Sequence, residues 1–414
     1  MPKTILLIGS YNGQDSLGDK CLLRCVVDRI RHSFGKETRI ITHVHNVAEL
    51  HGPLRDLNIE ARQGVQSYLW RWQSLIGRFI KDQKTLQKIA EAQFSIVGRL
   101  IMAFLHGGRL ALQDLADTDA VVIYGGTNFS KQWWWFNTPA YVMSCRWANA
   151  PLFLAPQQYG PMESDQLSRF KGQLSVRADG MLYRNSKDFE LLGVGKKNDV
   201  VVRDEVFSNI RVYPTLDEAQ RPFSERESTL LINLRFSKDF LFDRNDEFLD
   251  RFCHYVGEVS QRMQLEIKLF CMSGWTFADD LAGRQALEDR LNGGERLEVL
   301  AYTDEFDFIR DASYARACIS MSFHGAILSM IGGCPSIPVT LGDYYDYKYI
   351  GFSDYNPANP VPLISLADEI INARTDSLVT YFEEFEPESI WRERHRLNAL
   401  VDSAYSKFAN SIGI

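Results

Sequence analysis

The sequence predicts an α/β protein with parallel sheets, and three observations carry that prediction. Short apolar, β-rich runs ending in Gly or Asn alternate with longer amphipathic stretches. The alternation comes in two separate series, which implies two sheets. The chain of 414 residues, 45% hydrophobic and 24% charged, has the balance of a globular protein and the length for two or three domains with sizeable cores.

The first series of expected strands is Thr4–Ile8, Arg39–Thr42, Ala120–Tyr124, Leu152–Ala155, Gly180–Tyr183 and Val200–Arg203. The second is Thr229–Leu234, Glu266–Phe270, Arg296–Val299, Ala317–Ser320 and Ser336–Val339. Between them, Pro214 to Ser228 is charged, holds two prolines and lacks apolar periodicity, so the linker is expected there. The expected domains are therefore 1–215 on the acceptor side and 225–375 on the donor side, followed by a helical tail at 376–414. In that tail Phe382, Phe385, Leu397, Leu400, Val401 and Tyr405 fall at helical spacing and are expected to be buried. Two such α/β halves place a ligand cleft between the carboxyl ends of both sheets.

A net charge of −7 argues against nucleic acid as a partner, because such binding leans on Lys and Arg. Seven scattered cysteines without a Cys-x-x-Cys or Cys/His grouping fit a reduced, cytoplasmic setting and no metal site. The opening Ile5-Leu-Leu-Ile-Gly9 is too short for a signal-peptide core, and Phe94 to Leu112 is interrupted by Arg99, His106 and Arg109, so no spanning helix is expected. Residues 62–112 depart from the average, with eight basic side chains against Asp82 and Glu91. Tyr68-Leu-Trp-Arg-Trp72 interleaves aromatic and basic groups there. Such a helix either touches an anionic membrane at the inner face or buries Val97, Leu100, Ile101, Phe104 and Leu105 and leaves its cations solvated.

Four segments carry chemistry. After the first strand, Gly9-Ser-Tyr-Asn-Gly13 and Leu17-Gly18-Asp19 open a helix near Lys20, a turn that suits an anion or a sugar hydroxyl or is simply a strand-to-helix turn. The strand ending at Tyr124 runs into Gly125-Gly126-Thr127-Asn128, where a ligand can approach the backbone and bond to Thr127 and Asn128. Three successive tryptophans follow in Lys131-Gln-Trp-Trp-Trp-Phe-Asn137 and cannot all face one core. Trp133 and Trp134 are thus either a platform for a sugar ring or packing at a domain edge or oligomer contact. Finally, Ala317 to Val339 reads as a strand, a tight turn at Ser320–Gly325, a helix from Ala326 to Ile331 and another strand. His324 sits where strand gives way to helix, a place for proton transfer beside an anion.

In order along the chain, Gly18-Asp19, Val122-Ile-Tyr-Gly-Gly126, Gln158-Tyr-Gly-Pro161, Arg184 with Ser186, Asp204 with Phe207, Leu234-Arg235, Phe323-His324-Gly325-Ala326, Gly333-Cys-Pro335 and Lys348 resemble the polysaccharide pyruvyltransferase family. The resemblance implies two Rossmann-like domains facing a cleft, a glycosyltransferase-B-like arrangement. It implies transfer of an enolpyruvyl unit from phosphoenolpyruvate, the donor substrate, onto two hydroxyls of a sugar or lipid-linked oligosaccharide. The product is a cyclic ketal, made in cell-surface or exopolysaccharide biosynthesis without a further cofactor. His324 becomes the general acid–base, and Arg235 the fork for the donor's carboxylate or phosphate, unless Arg235 pairs with Asp239 or Asp243. Asp19 and Asp343 are the carboxylates considered for an oxocarbenium-like intermediate. Ser322, Phe323, Gly325 and Lys348 complete the expected substrate-binding set with Gly125 and Gly126.

The family usually has Arg two residues before the histidine, and Ser322 stands there. Losing a bond to a charged group costs ~1.5–3 kcal/mol; Arg310, Arg316 or Lys348 can compensate, or the donor differs. Two other readings therefore stay open: a glycosyltransferase using a nucleotide sugar on the same fold, and a non-catalytic family member. The first is disfavoured by the lack of a Glu after Ser336-Ile-Pro-Val339.

Overall fold

The structure is a computed structural model. It describes residues 3–9, 17–44, 47, 55–64, 67, 106–126, 129–130, 141, 144, 147–192, 199–215, 221–234, 245–272, 287–291, 297–340, 342–365 and 375–413. The chain forms two compact units. Unit 1 holds Leu22–Glu205, Ala399–Ile414 and the N-terminal strand; unit 2 holds Val206–Asn398 and the short segment Asp15–Cys21.

Unit 1 contains β1 (Thr4–Gly9), most of α1 (Leu17–Phe34), β2 (Arg39–Val44), β3 (Glu60–Gln63), α2 (His106–Ala116), β4 (Ala120–Tyr124), β5 (Leu152–Gln157), α3 (Ser164–Phe170), β6 (Ala178–Tyr183), α4 (Ser186–Leu192) and β7 (Val200–Val201). All seven strands run parallel, in the order β3-β2-β1-β4-β5-β6-β7. Central strands of such a sheet are covered on both faces and need unbroken apolar runs. Thr4-Ile-Leu-Leu-Ile-Gly9 and Ala120-Val-Val-Ile-Tyr124 supply them, with every residue from Ile5 to Ile8 and from Ala120 to Tyr124 buried. Phe129, Tyr141, Tyr159 and Phe170 close one side, with ring centroids 4.9–5.9 Å apart.

Unit 2 contains β8 (Glu227–Asn233), α6 (Asn245–Met263), β9 (Glu266–Cys271), β10 (Glu298–Ala301), α7 (Glu305–Tyr314), β11 (Ala315–Ser320), α8 (Phe323–Ile331), β12 (Ser336–Thr340), α9 (Gly342–Lys348), β13 (Ile364–Ser365), α10 (Thr375–Glu383) and most of α11 (Pro387–Ser411). Before it, α5 (Glu205–Ser208) leaves unit 1. The six strands are parallel in the order β10-β9-β8-β11-β12-β13. Counted from its own first strand, each sheet has the 3-2-1-4-5-6 order of doubly wound folds. That order reverses between β1 and β4 in unit 1 and between β8 and β11 in unit 2, so ligand-binding turns are expected at those carboxyl ends.

The units divide after Glu205, upstream of the linker expected at 214–228. Residues just past the division already belong to unit 2: Phe207 stacks edge-on against Tyr355, and the Tyr213 hydroxyl donates to Glu305. Within the expected linker, Arg226 is buried and donates to the Ala315 carbonyl. In the tail, Phe382, Phe385, Leu397, Val401 and Tyr405 are buried and Leu400 is half-buried. The tail is not one body, because α11 passes from unit 2 to unit 1 at Asn398/Ala399.

Candidate active site

The turn from β11 to α8 is built by a small set of polar groups. Helix α8 starts at Phe323, earlier than the sequence implies, because Ser322 caps it: its backbone is extended and its Oγ accepts from the Gly325 N–H at 3.3 Å. Ser320 Oγ donates to the Ser322 carbonyl and accepts from the Ser322 N–H, at 3.0 and 3.1 Å. Asn233, the last residue of β8 and fully buried, fastens the neighbouring strand to this turn. Its Oδ1 accepts from the Ser322 N–H at 3.1 Å, its carbonyl accepts from the Met321 N–H at 2.9 Å, and its Nδ2 donates to the Phe270 carbonyl at 2.9 Å. Gly325 is required by close packing, since a Cβ there would lie 2.8 Å from Ser320 Oγ and 3.0 Å from the Phe270 ring.

His324 is therefore in the first turn of α8, half-buried, at the switch point of the second sheet. The first turn of α1, which belongs to the same unit, meets it: the alpha carbon of Gly18 faces the imidazole. Asp19, half-buried, is the next residue of that turn. Phe323 is 3% exposed and packs in an aromatic cluster with Tyr349, Phe352 and Tyr355, while its ring also stands edge-on to the His324 imidazole at 5.6 Å, so its side chain is a packing group. Lys348 Nζ lies 5.7 Å from the centre of the Phe323 ring and 5.8 Å from that of Tyr345, within cation–π range. Of the three cations considered as compensating for Ser322, Lys348 is the one beside the turn. Arg310 pairs with Asp307 on α7, and Arg316, at the opposite end of β11, donates to the Arg226 carbonyl.

In unit 1 the ends of β4, β5 and β6 gather a second polar group. Gly125 has φ 155°, a conformation that suits glycine, and Gly126 accepts from the Gln158 N–H at 3.0 Å. The Arg184 guanidinium lies over Gly126, with Nη1 3.7 Å from where a Cβ would stand, and is ion-paired with the fully buried Asp204. Burial pushes the phenols of Tyr159 and Tyr183 up, so both stay neutral at physiological pH. Sequence reasoning matched Arg184 and Asp204 to the family without giving them a role; each follows a strand end, which was the available signal.

Arg235, Thr127, Asn128, Trp133 and Trp134 lie outside the described residues, as does the side chain of Asp343 and most of segment 62–112. Among the described residues no group of three His, Cys, Asp or Glu could hold a metal ion, and no helix is long and apolar enough to cross a membrane.

The two doubly wound units, each with its polar turn, define a class: the fold is the glycosyltransferase-B fold of two Rossmann-like domains. The solved structure of Anabaena HepE in complex with UDP-glucose superposes with TM-score 0.55 at 11% identity, covering 99% of this chain and 98% of that one. UDP-GlcNAc 2-epimerase from Neisseria meningitidis bound to UDP-GlcNAc gives 0.53 at 12% identity over 96% and 99%. At those identities the likeness speaks for the fold alone. No curated protein matches the sequence. The profile of the family described as polysaccharide pyruvyl transferase matches residues 2–343, and the chain belongs to that transferase family.

Proposed function

We propose that the protein transfers the enolpyruvyl unit of phosphoenolpyruvate onto two hydroxyls of a sugar, giving a cyclic pyruvate ketal and inorganic phosphate. The observation that supports this reading is the placement of His324 in the first turn of α8, at the switch point of the second sheet, with the Lys348 ammonium over the ring of the preceding residue, Phe323. The early N–H groups of α8 and the lysine suit the donor's anionic ends. Arg235, two residues beyond Asn233 in the chain, is the proposed fork for the carboxylate.

Protonated His324 delivers its proton to the methylene carbon as the first hydroxyl bonds to the adjacent carbon, and that hydroxyl's proton passes to the now neutral imidazole. The carbon–oxygen bond to phosphate then breaks, the electron pair leaving with phosphate. The second hydroxyl attacks the resulting oxocarbenium ion and its proton goes to the departing phosphate, which closes the ketal. The acceptor, free or lipid-linked, is assigned to the glycine turn Gly125-Gly126 of unit 1, in cytoplasm or at the inner membrane face. Membrane contact through residues 62–112 is tested by liposome flotation of an Arg71/Arg78/Lys81/Lys84 charge reversal; unchanged binding removes it.

Ser322 favours keeping a second reading, glycosyl transfer from a nucleotide sugar, because its hydroxyl already accepts from Gly325 and supplies no cation. Thermal shift with phosphoenolpyruvate against nucleotide sugars separates the two, since a cognate ligand raises apparent stability. The direct test is phosphate release from phosphoenolpyruvate with a glycan acceptor. His324→Ala abolishes turnover with the fold intact, and Arg235→Ala raises the donor KM; wild-type rates in either variant sink the assignment.

A further inference from the structure

Gly18 is the second residue of α1, in its first turn. It is not among the glycines with positive φ, so backbone freedom does not account for it. What lies over it does. A Cβ at this position would stand 2.1 Å from Nδ1, 2.7 Å from Cγ and 2.9 Å from Cε1 of His324, and these are the three nearest atoms. Any side chain here must push the imidazole away. Two residues before the histidine, Ser322 is fastened to Asn233 and Ser320, and the Phe323 ring stands edge-on to the imidazole at 5.6 Å, so the imidazole is packed from a second direction.

We propose that Gly18 is a positioning residue for His324: the bare alpha carbon of the first helix is the seat that fixes which way the imidazole faces. The inference rests on His324 being the proton-transfer group. A ring held against a hard surface meets the donor already oriented, and misplacing a reacting group by about 1 Å can cost on the order of 100-fold in rate. Gly18 touches no reacting atom in this scheme and acts through the imidazole alone.

The test uses the full chain with carbon-13-labelled histidine, reading the His324 ring signal among the eight histidines by its loss in His324→Ala. Gly18→Ala is expected to move that signal and to lower phosphate release by about 10- to 100-fold. Added to His324→Ala, the same change is expected to alter the residual rate less than about twofold, because a residue acting only through the ring has nothing left to act on. Gly257→Ala is the matched control. It lies in α6 of the same unit with its nearest neighbour, Leu291 Cδ2, at 4.0 Å, and leaves ring signal and rate unchanged. An unmoved His324 signal in Gly18→Ala, or equal losses in both backgrounds, overturns the proposal. Should Gly18→Ala not fold, the double variant decides: folding restored by removing the ring supports the seat, and continued failure overturns it. If the wild type releases no phosphate, the functional reading fails while the ring signal still judges the seat.

Discussion

Asn233 spends every polar group of its side chain on joining three strand ends: Oδ1 on the Ser322 N–H and Nδ2 on the Phe270 carbonyl. Asn233→Ala takes the side-chain donor from the buried Phe270 carbonyl and leaves the Ser322 N–H with Ser320 Oγ alone, a buried group that loses its partner costing about 1–3 kcal/mol. Urea unfolding is expected to show a loss in that range, with Asn233→Asp recovering the part due to the Ser322 N–H. Ser322→Ala removes a helix cap and is expected to cost about 1 kcal/mol in the same assay. His324 was legible in the sequence because a histidine just before a glycine and two residues after a serine, at a strand end, has few structural reasons to be there. Asn233 was not, because an Asn closing a strand reads as a turn residue. Gly18 stood out in the sequence as part of a turn and of the family match, but its closeness to His324 lies in a partner far along the chain.

All eleven strands expected from apolar runs are present, within a few residues at their ends. The two that escaped notice, β3 and β13, are the outermost strands of their sheets. Glu60-Ala-Arg-Gln63 has no apolar run because an edge strand is covered on few sides, and β13 is two residues long. β3 is held by its parallel ladder to β2, and charge adds to it: Arg39 of β2 forks onto Glu60 at 2.6 and 2.9 Å, and Arg62 reaches the same carboxylate at 2.7 Å. These bonds, Arg39's first, hold the Glu60 carboxyl down at about 2 against the ordinary 4.5. A depressed carboxylate stabilises the fold above its unfolded value and loses that contribution as pH falls through its folded one. The stability gap between wild type and Glu60→Gln is therefore expected to be full above about pH 4.5 and to close towards pH 2. Because the Glu60 side chain is 44% exposed, solvent screens the pair and the gap stays within about 1 kcal/mol, shrinking with added salt.

Two sheets were legible in the whole chain, but the membership of its ends was not, because only packing reveals it. The last turns of α11 complete unit 1: Phe153 meets Tyr405 and Phe408 at 4.8 and 4.9 Å, and Phe34 meets Phe408 at 5.9 Å. Beneath them Arg29, fully buried, donates to Glu205 at 2.8 Å and to Asp402 at 2.6 Å, while the Tyr405 hydroxyl donates to Glu205. Burial pushes the Glu205 carboxyl up, with Arg29 pulling against it. Removing Arg29 leaves a buried carboxylate uncompensated, so Arg29→Ala is expected to cost about 3–5 kcal/mol by denaturant unfolding. A carboxyl raised still further in that variant is destabilising only where it must ionise. The deficit is therefore expected to be larger at pH 8 than at pH 5, and a deficit independent of pH would contradict this account.

The passage of α11 from one unit to the other also sets an order of events on the ribosome. Residues 399–411 are translated after everything in unit 2, so the Phe34 and Phe153 faces emerge early and must wait for their partners until the rest of the chain has been made. Unit 1, although most of it is synthesised first, is completed by a segment that follows all of unit 2 in the chain. Until that segment is made, the Phe34 and Phe153 faces lack their aromatic partners, the kind of uncovered surface that makes an incomplete chain prone to aggregate.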